Sequence, residues 1–358
     1  MDADSLYYEA IDLLKSLISK PSISGNEKEA ADTLEDYLKE KGFSPQRKGN
    51  NCWVFSENWD PGKPVVLLNS HIDTVKPVAG WTKDPFSPLE EDGKLFGLGS
   101  NDAGAPLVSL LMAFRLLEKT EQPNNFIFLA SAEEEISGKN GLESVWTELP
   151  PVDLGVVGEP TSLRAAVAEK GLMVLDAVVY GKAGHAARDE GENAIYKALP
   201  VIEWFRNKQF SRESALLGKV KMTLSVIQAG TQHNVVPGEC RMVVDVRSNE
   251  CYSNRELFDR IASECGCEIH ARSFRLNSSS IPENHPLVRR AIMFGAELFG
   301  SPTLSDQALM NFPTLKIGPG DSARSHSADE FVYCSEIREA ISYYTCLLSN
   351  LNLKKRVS

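Results

Sequence analysis

Val65-Val66-Leu67-Leu68-Asn69 and Asn125-Phe126-Ile127-Phe128-Leu129-Ala130 are continuous apolar runs without polar alternation. A strand with one wet face alternates and a strand covered on both faces does not, so both runs predict strands buried inside a sheet. Between them, Pro106 to Lys119 reads as a helix. Strand, crossover helix and strand imply an α/β core, and in open sheets of that kind ligands gather beyond the carboxyl ends of the strands. His71 follows the first run and Glu134 and Glu135 follow the second. Glu159 follows a third short run, Leu154-Gly155-Val156-Val157.

Upstream, Leu6, Ile11, Leu14 and Ile18 have helical spacing in a segment from Ser5 to Lys20 that stops at Pro21. A second helix is expected from Ser24-Gly25-Asn26-Glu27 to Lys41-Gly42, with Ala31, Leu34 and Leu38 on one face and Gly42 as its stop. Downstream of Leu172 the texture changes. Strands are predicted at 173–180, 221–227, 241–247 and 268–272, with helices at 193–208 and 253–264. These form a small αβ set, a plausible size for one domain. The chain is expected to return to the first domain near Pro282 to Pro286. The predicted organisation is therefore a discontinuous domain of residues 1–172 and 284–358, interrupted by an inserted domain of residues 173–283.

A chain of 358 residues exceeds the size at which one core usually stops growing, which agrees with two domains. Hydrophobic residues make up 42% and charged residues 24%, so disorder is not expected. The net charge of −11, with no cluster of Lys and Arg, argues against nucleic acid as a partner. The acidic start Met1-Asp2-Ala3-Asp4-Ser5 is unlike a secretory leader, and no apolar run is long enough to span a membrane. A cytoplasmic location is the expectation. Seven scattered cysteines are expected to be free thiols, and Cys265-Gly266-Cys267 is too closely spaced, with no second pair, for a paired-cysteine metal site.

The chemistry is carried by short patterns: Ser70-His71-Ile72-Asp73, Gly99-Ser100-Asn101-Asp102, Glu133-Glu134-Glu135, Gly158-Glu159-Pro160-Thr161 and Ser325-His326-Ser327. Singly, each has an ordinary reading: a surface His-Asp pair, a solvated acidic run, a loop carboxylate. Their location decides otherwise. Unpaired carboxylates converging at the ends of buried strands repel one another and carry a desolvation cost of several kcal/mol apiece, which cations remove.

The order and contexts of these patterns resemble the M20 metallopeptidase family, the aminoacylase and deacetylase group. The resemblance implies an α/β, mixed-sheet two-zinc hydrolase domain with an inserted smaller α+β lid or dimerisation domain. It further implies two divalent metal ions, zinc with cobalt or manganese as alternatives. His71 and Glu159 would bind one ion, Glu135 and His326 the other, and Asp102 would bridge both. Glu134 is expected to face away from Glu135 and to serve as general base. Asp73 is expected to accept the second ring N–H of His71 and so fix its tautomer. Around the bridge the chain departs from the commoner family form, with Gly97-Leu98-Gly99 and Ala103-Gly104-Ala105 where many relatives carry an Arg and a Lys.

In the inserted domain, Gly181-Lys182-Ala183-Gly184-His185-Ala186 matches the family's lid histidine motif. The resemblance makes His185 a donor to the carbonyl oxygen, an oxyanion role. Asn234 in Gly230-Thr231-Gln232-His233-Asn234 and Arg247 in Asp245-Val246-Arg247 would contact substrate, with His185 and Asn234 reaching across a homodimer in some relatives. Arg247 offers a fork for an α-carboxylate, against the plain alternative of a strand-end salt bridge. His233, His270 and His285 match no ligand position. Glu159, the compact length and Gly318-Pro319-Gly320-Asp321-Ser322-Ala323-Arg324-Ser325-His326-Ser327 look most like the deacetylases of N-acyl amino acids. The implied substrate is N-acetylornithine, or N-succinylornithine with Arg324 meeting the succinyl carboxylate, in arginine biosynthesis. Alternatives are a succinyl-diaminopimelate desuccinylase, a di- or tripeptidase, or a non-catalytic amino-acid or metal-binding protein.

Overall fold

The computed structural model describes residues 3–355; Met1 and Asp2 of the acidic start lie outside them. Two compact units are distinguished. The second comprises Ala168–Ser280 and Gly300–Leu304, and the first comprises the rest of the described chain.

In the first unit, the apolar runs form the strands Val65–His71 and Asn125–Ser131, buried at every position. Alternate residues serve different layers. Val66, Leu68, Phe126 and Phe128 join a core with the helices Ala3–Ile18, Ala105–Leu117 and Cys334–Leu348, whereas Val65, Leu67, Ile127 and Leu129 join a smaller cluster on the other face with Leu142, Val145 and Met310. Each such side chain, fully removed from water, contributes about 1.5–3 kcal/mol. The double covering explains why neither run alternates.

The strands of this sheet run in the order Gln46–Lys48, Asn51–Phe55, Asn125–Ser131, Val65–His71, Leu154–Val157, Thr314–Lys316 and Ala165–Glu169. Val65–His71 pairs in parallel with both of its neighbours, and Thr314–Lys316 is parallel to Leu154–Val157. The flanking pairs are antiparallel, giving a mixed sheet with a parallel centre. All four central strands therefore end at the same edge. The two N-terminal helices are found at Ala3–Ile18 and Lys28–Glu40, and Gly42 adopts φ +90° beyond the second.

The second unit has its own core beneath an antiparallel sheet ordered Lys221–Ala229, Glu239–Arg247, Met173–Tyr180 and Glu268–Ala271. The helices Ala194–Asn207 and Asn254–Glu264 contribute Ala198, Val201, Phe205, Leu257 and Ile261 to that core. Asn193 and Ser253 cap these helices by accepting the backbone N–H of Ile195 and Glu256. Gly300–Leu304 makes a second short excursion into this unit that the sequence does not announce. A Cβ at Gly300 would lie 2.6 Å from the carbonyl oxygen of Leu216, so the backbones meet only because the residue is glycine. The Pro282 to Pro286 return is a turn from which His285 caps the helix Pro286–Met293. All seven cysteines are free thiols.

Candidate metal centre

Every ligand-type residue named from the sequence in the first unit lies at the carboxyl end of a central strand, on the segment that follows one, or on the loop that enters a crossover helix. His71 closes Val65–His71, and Glu134 and Glu135 follow Asn125–Ser131. Glu159 follows Leu154–Val157, and His326 sits on the long segment after Thr314–Lys316. Asp102 precedes the helix Ala105–Leu117. Parallel pairing is what aims these four strand ends at one place.

Asp102 lies between the two histidines. Its Oδ1 is 3.2 Å from His71 Nε2 and its Oδ2 is 3.7 Å from His326 Nε2. His326 Nε2 is 3.0 Å from both carboxylate oxygens of Glu135, and Glu159 Oε1 is 3.9 Å from His71 Nε2. Among the described residues, His71, Asp102 and Glu135 place donor atoms within 4.8 Å of one another. His71 thus lies near Glu159, His326 lies beside Glu135, and Asp102 stands near both histidines. The His71 side chain is buried, whereas that of His326 is 51% exposed, so the cluster opens to solvent on the His326 side.

Glu134 departs from expectation. It does not face away: its Oε2 lies 4.0 Å from His71 Nε2, within the same cluster as Glu135. Alternation of side chains holds only along a strand, and the strand ends at Ser131. Glu133 has φ +56°, so the acidic triplet is a turn.

Asp73 also differs in detail. His71 Nδ1 faces the backbone carbonyl oxygen of Asp73 at 2.9 Å, with the Asp73 carboxylate farther away at 3.4 Å. The carbonyl is the nearer acceptor for the ring N–H, which leaves Nε2 free for a metal. The carboxylate instead accepts the backbone N–H groups of Glu134 (3.0 Å) and Glu135 (3.1 Å) and the hydroxyl of Ser24 (2.7 Å).

Further supports carry no obvious sequence signal. Buried Glu27 accepts the backbone N–H of Gly25 and, at 3.3 Å, that of Glu133. Asn101 donates its side-chain amide to the carbonyl of Asp321 and to the Ser325 hydroxyl, tying the His326 segment to the loop of Asp102. Asp306 accepts the Ser131 hydroxyl at 2.6 Å and the Asn69 amide at 3.2 Å beneath the strand ends. Glu330 accepts the backbone N–H groups of Asn101 and Asp102. The one hint available beforehand is an acidic residue set directly before an apolar strand, as in Glu330-Phe331-Val332.

The electrostatics of the bare side chains are strained. Burial pushes the Glu134 carboxyl well above its ordinary value, with Glu159, Asp306 and Glu135 adding to it and His71 opposing. Burial likewise pushes Glu159 up to about 8, with Asp102 and Glu135 adding and His71 and Lys316 opposing. Burial alone would depress the His71 imidazolium, yet its bonds to Asp102 and Asp73 and the nearby Glu134 and Glu159 hold it well above the usual range. Its hydrogen bond with Glu135 carries His326 up to about 9. A set of converging carboxylates and imidazoles with these tendencies is what divalent cations stabilise. Nitrogen and oxygen donors in this mixture suit zinc, cobalt or manganese, so the residues fit a metal.

Of the other residues named from sequence, Arg324 belongs to the first unit and His185, Asn234 and Arg247 to the second. His185 and Asn234 belong to the second unit, where Gly184–His185 pairs with Val235–Val236 and the Asn234 carbonyl accepts the N–H of Ala186. His185 Nδ1 accepts the N–H of Ala187, which places the imidazole proton of the neutral ring on Nε2. Arg247, also in the second unit, is not a free fork: its Nε and Nη2 grip Asp245 at 2.9 and 3.1 Å, the strand-end salt bridge that was the plainer alternative. Arg324 is engaged too, with both Nη atoms on Glu336 at 2.7 and 2.8 Å and its guanidinium over the rings of Phe331 and Tyr333. In each case a carboxylate two or twelve residues away in the chain already fills the geometry that a substrate carboxylate would need.

Histidines and carboxylates gathered at the carboxyl edge of an α/β sheet supply donors for divalent metal, the equipment of a metal-dependent hydrolase. The chain belongs to Peptidase family M20/M25/M40, whose sequence profile matches residues 67–350. Among solved structures it is similar to the aminopeptidase PepT from Bacillus cereus, at 18% identity, TM-score 0.76, 98% of this chain and 99% of that one. It is similar to YXEP of Bacillus subtilis, described as a dinuclear metal binding peptidase, at 18% identity, TM-score 0.74, 96% of this chain and 98% of that one. A metallo-carboxypeptidase of Sulfolobus solfataricus matches at 19% identity, TM-score 0.73, 98% and 99%. These likenesses concern the fold. No helix among the described residues is long and apolar enough to cross a membrane.

Proposed function

We propose that this chain is a two-metal amidohydrolase that removes the N-acyl group from a small amino acid, with N-acetylornithine as the first substrate to test. The observation that carries the reading is Asp102 lying between His71 and His326, each histidine with its own partner carboxylate, beside the additional carboxylate of Glu134. In this reading His71 and Glu159 hold one ion, Glu135 and His326 the other, and Asp102 is shared. Zinc is the first candidate, with cobalt and manganese also compatible with the donors. When bound, such ions would supply Lewis-acid polarisation of the acyl carbonyl and activation of water.

The residues of the chain do the proton work. Glu134 takes a proton from the attacking water and passes it to the departing amine nitrogen, a role taken from the family resemblance and compatible with its place in the cluster, 4.0 Å from His71 Nε2. His71 is held in orientation by the Asp73 carbonyl. His185 is proposed as donor to the carbonyl oxygen, supported by the proton its ring carries on Nε2.

Occupation of Arg324 by Glu336 favours a small neutral acyl group such as acetyl over succinyl, whose carboxylate would have to displace Glu336. Occupation of Arg247 likewise favours Asn234 over Arg247 as the substrate contact. The peptidase neighbours keep a di- or tripeptidase as the second reading. Turnover of N-acetylornithine, N-succinylornithine, succinyl-diaminopimelate and di- and tripeptides, each with zinc, cobalt and manganese, tests both. Cleavage confined to peptides would replace the first reading by the second, and no cleavage of any would leave a non-catalytic binding role.

A homodimer formed through the second unit is part of the proposal. Lys221–Ala229 is an edge strand with exposed Val226 and Ile227, and the helix Ala194–Asn207 exposes Tyr196 and Leu199. Exposed edges and apolar faces of this kind are usually covered. Light scattering on the parent and on Ile227→Lys tests it, a monomer in both counting against the dimer. A cytoplasmic location is proposed as well, supported by the free cysteines.

A further inference from the structure

We propose that Glu330 is a positioning residue that sets the shared carboxylate of Asp102. The inference rests on the two-ion reading above. Glu330 is 2% exposed, and its Oε1 accepts the backbone N–H of Asn101 at 2.9 Å and that of Asp102 at 3.0 Å. Two consecutive amides converging on one buried oxygen fix the peptide planes on either side of the Asn101 Cα and aim the Asp102 side chain from its own backbone.

Glu330 is itself anchored. It stands directly before the strand Phe331–Tyr333, which pairs with Lys94–Phe96, and its carbonyl accepts the N–H of Gly97. The same contact governs the second histidine. Asn101, held by Glu330 at its N–H, holds Asp321 and Ser325 through its side-chain amide, and Ser325 adjoins His326. Glu330 thus meets the loop of Asp102 directly, 228 and 229 positions away in the chain, and meets the His326 segment through Asn101. A buried carboxyl is a costly means of filling space, and its oxygen satisfies two backbone amides that burial would otherwise leave unpaired.

The test uses the full chain, stripped of metal and titrated with Mn(II), with the exchange-coupled spectrum of a carboxylate-bridged pair read by electron paramagnetic resonance and kcat and KM read on the best substrate. Glu330→Leu is expected to weaken Mn(II) binding and lower kcat by about 10–100-fold, with KM changed little, because partners of this kind act on the ligands and not on substrate. The coupled spectrum should be lost or broadened. Glu330→Gln, which is isosteric, should fall between parent and Leu and decides the matter if the Leu variant does not fold. A folded variant with the parent's Mn(II) affinity and coupled spectrum overturns the proposal, whereas general destabilisation alone would leave that spectrum intact. Should the parent bind one ion per chain, the two-ion reading fails, and Glu330 is then judged on whether that ion's affinity drops in the variants.

Discussion

The Asp73 carboxylate receives the backbone N–H of Glu134 at 3.0 Å, so the residue two places beyond one candidate ligand fixes the turn that carries the candidate base. The second carboxylate oxygen holds Glu135 in the same way. Asp73→Asn keeps one acceptor oxygen and turns the other into a donor facing an N–H. Stability should fall by about 1–3 kcal/mol from the unsatisfied amide. Activity should fall by roughly 10–100-fold through the displaced turn. Chemical denaturation and steady-state kinetics check both; an unchanged kcat would show that the turn holds without Asp73.

Glu134→Gln removes the proton acceptor and keeps the shape. Turnover is expected to fall by about 10²–10⁴-fold. Metal content by elemental analysis should be that of the parent, because the carboxylate is not one of the proposed ligands. A parent-like rate would reassign the base.

The stability of the first unit should respond to acid through Glu9. Glu9 is held below the usual carboxyl range: burial works against this, but the bond to Arg115 at 2.5 Å outweighs it, with Tyr37 and Lys41 assisting. Because the folded group ionises at lower pH than the unfolded one, the unfolded chain binds more protons between the two values. The stabilisation is therefore complete at neutral pH and is lost as pH falls below the unfolded value of about 4.3 and through the folded one. Glu9→Gln is expected to cost about 1–3 kcal/mol at pH 7, since buried Arg115 exchanges a charged acceptor for a neutral one. The cost should shrink on acidification. Denaturant melts across this range check the sign, and a cost that grows in acid would reverse the assignment.

A Cβ at Gly318 would lie 2.5 Å from the backbone oxygen of Glu159 and 2.8 Å from the Tyr344 hydroxyl. The neighbour is backbone, so Gly318→Ala has to move either Glu159 or the segment leading to His326. A loss of about 1–3 kcal/mol is expected, together with weaker metal binding. Calorimetric titration with zinc measures the second effect.

Metal should stabilise the fold as well as the reaction. A cation bound at about a thousand times its Kd adds roughly 4 kcal/mol to the folded state. The melting temperature should drop on chelation and recover when zinc is returned. Indifference to both would remove the support for a metal centre.

Much of this site could be read from residue order. His71, Glu135 and Glu159 are legible because each follows an apolar run too continuous to be anything but a buried strand, and parallel strands present such positions at one edge. The orientation of Glu134 was not legible, since it depends on where the strand stops and a turn with positive φ begins. Nor was the engagement of Arg247 and Arg324, because whether a guanidinium is free depends on which carboxylate folding brings beside it.

Residue types local in the chain specified the double-covered strands and supplied the metal-type side chains, because burial imposes a pattern that can be read along a short stretch. The tertiary structure alone decided which backbone amides Asp73, Glu27 and Glu330 grip and how Asp102 comes to lie between two histidines. Those contacts join positions up to 229 residues apart, and a hydrogen bond of a few ångströms leaves no periodic trace in the residues that make it.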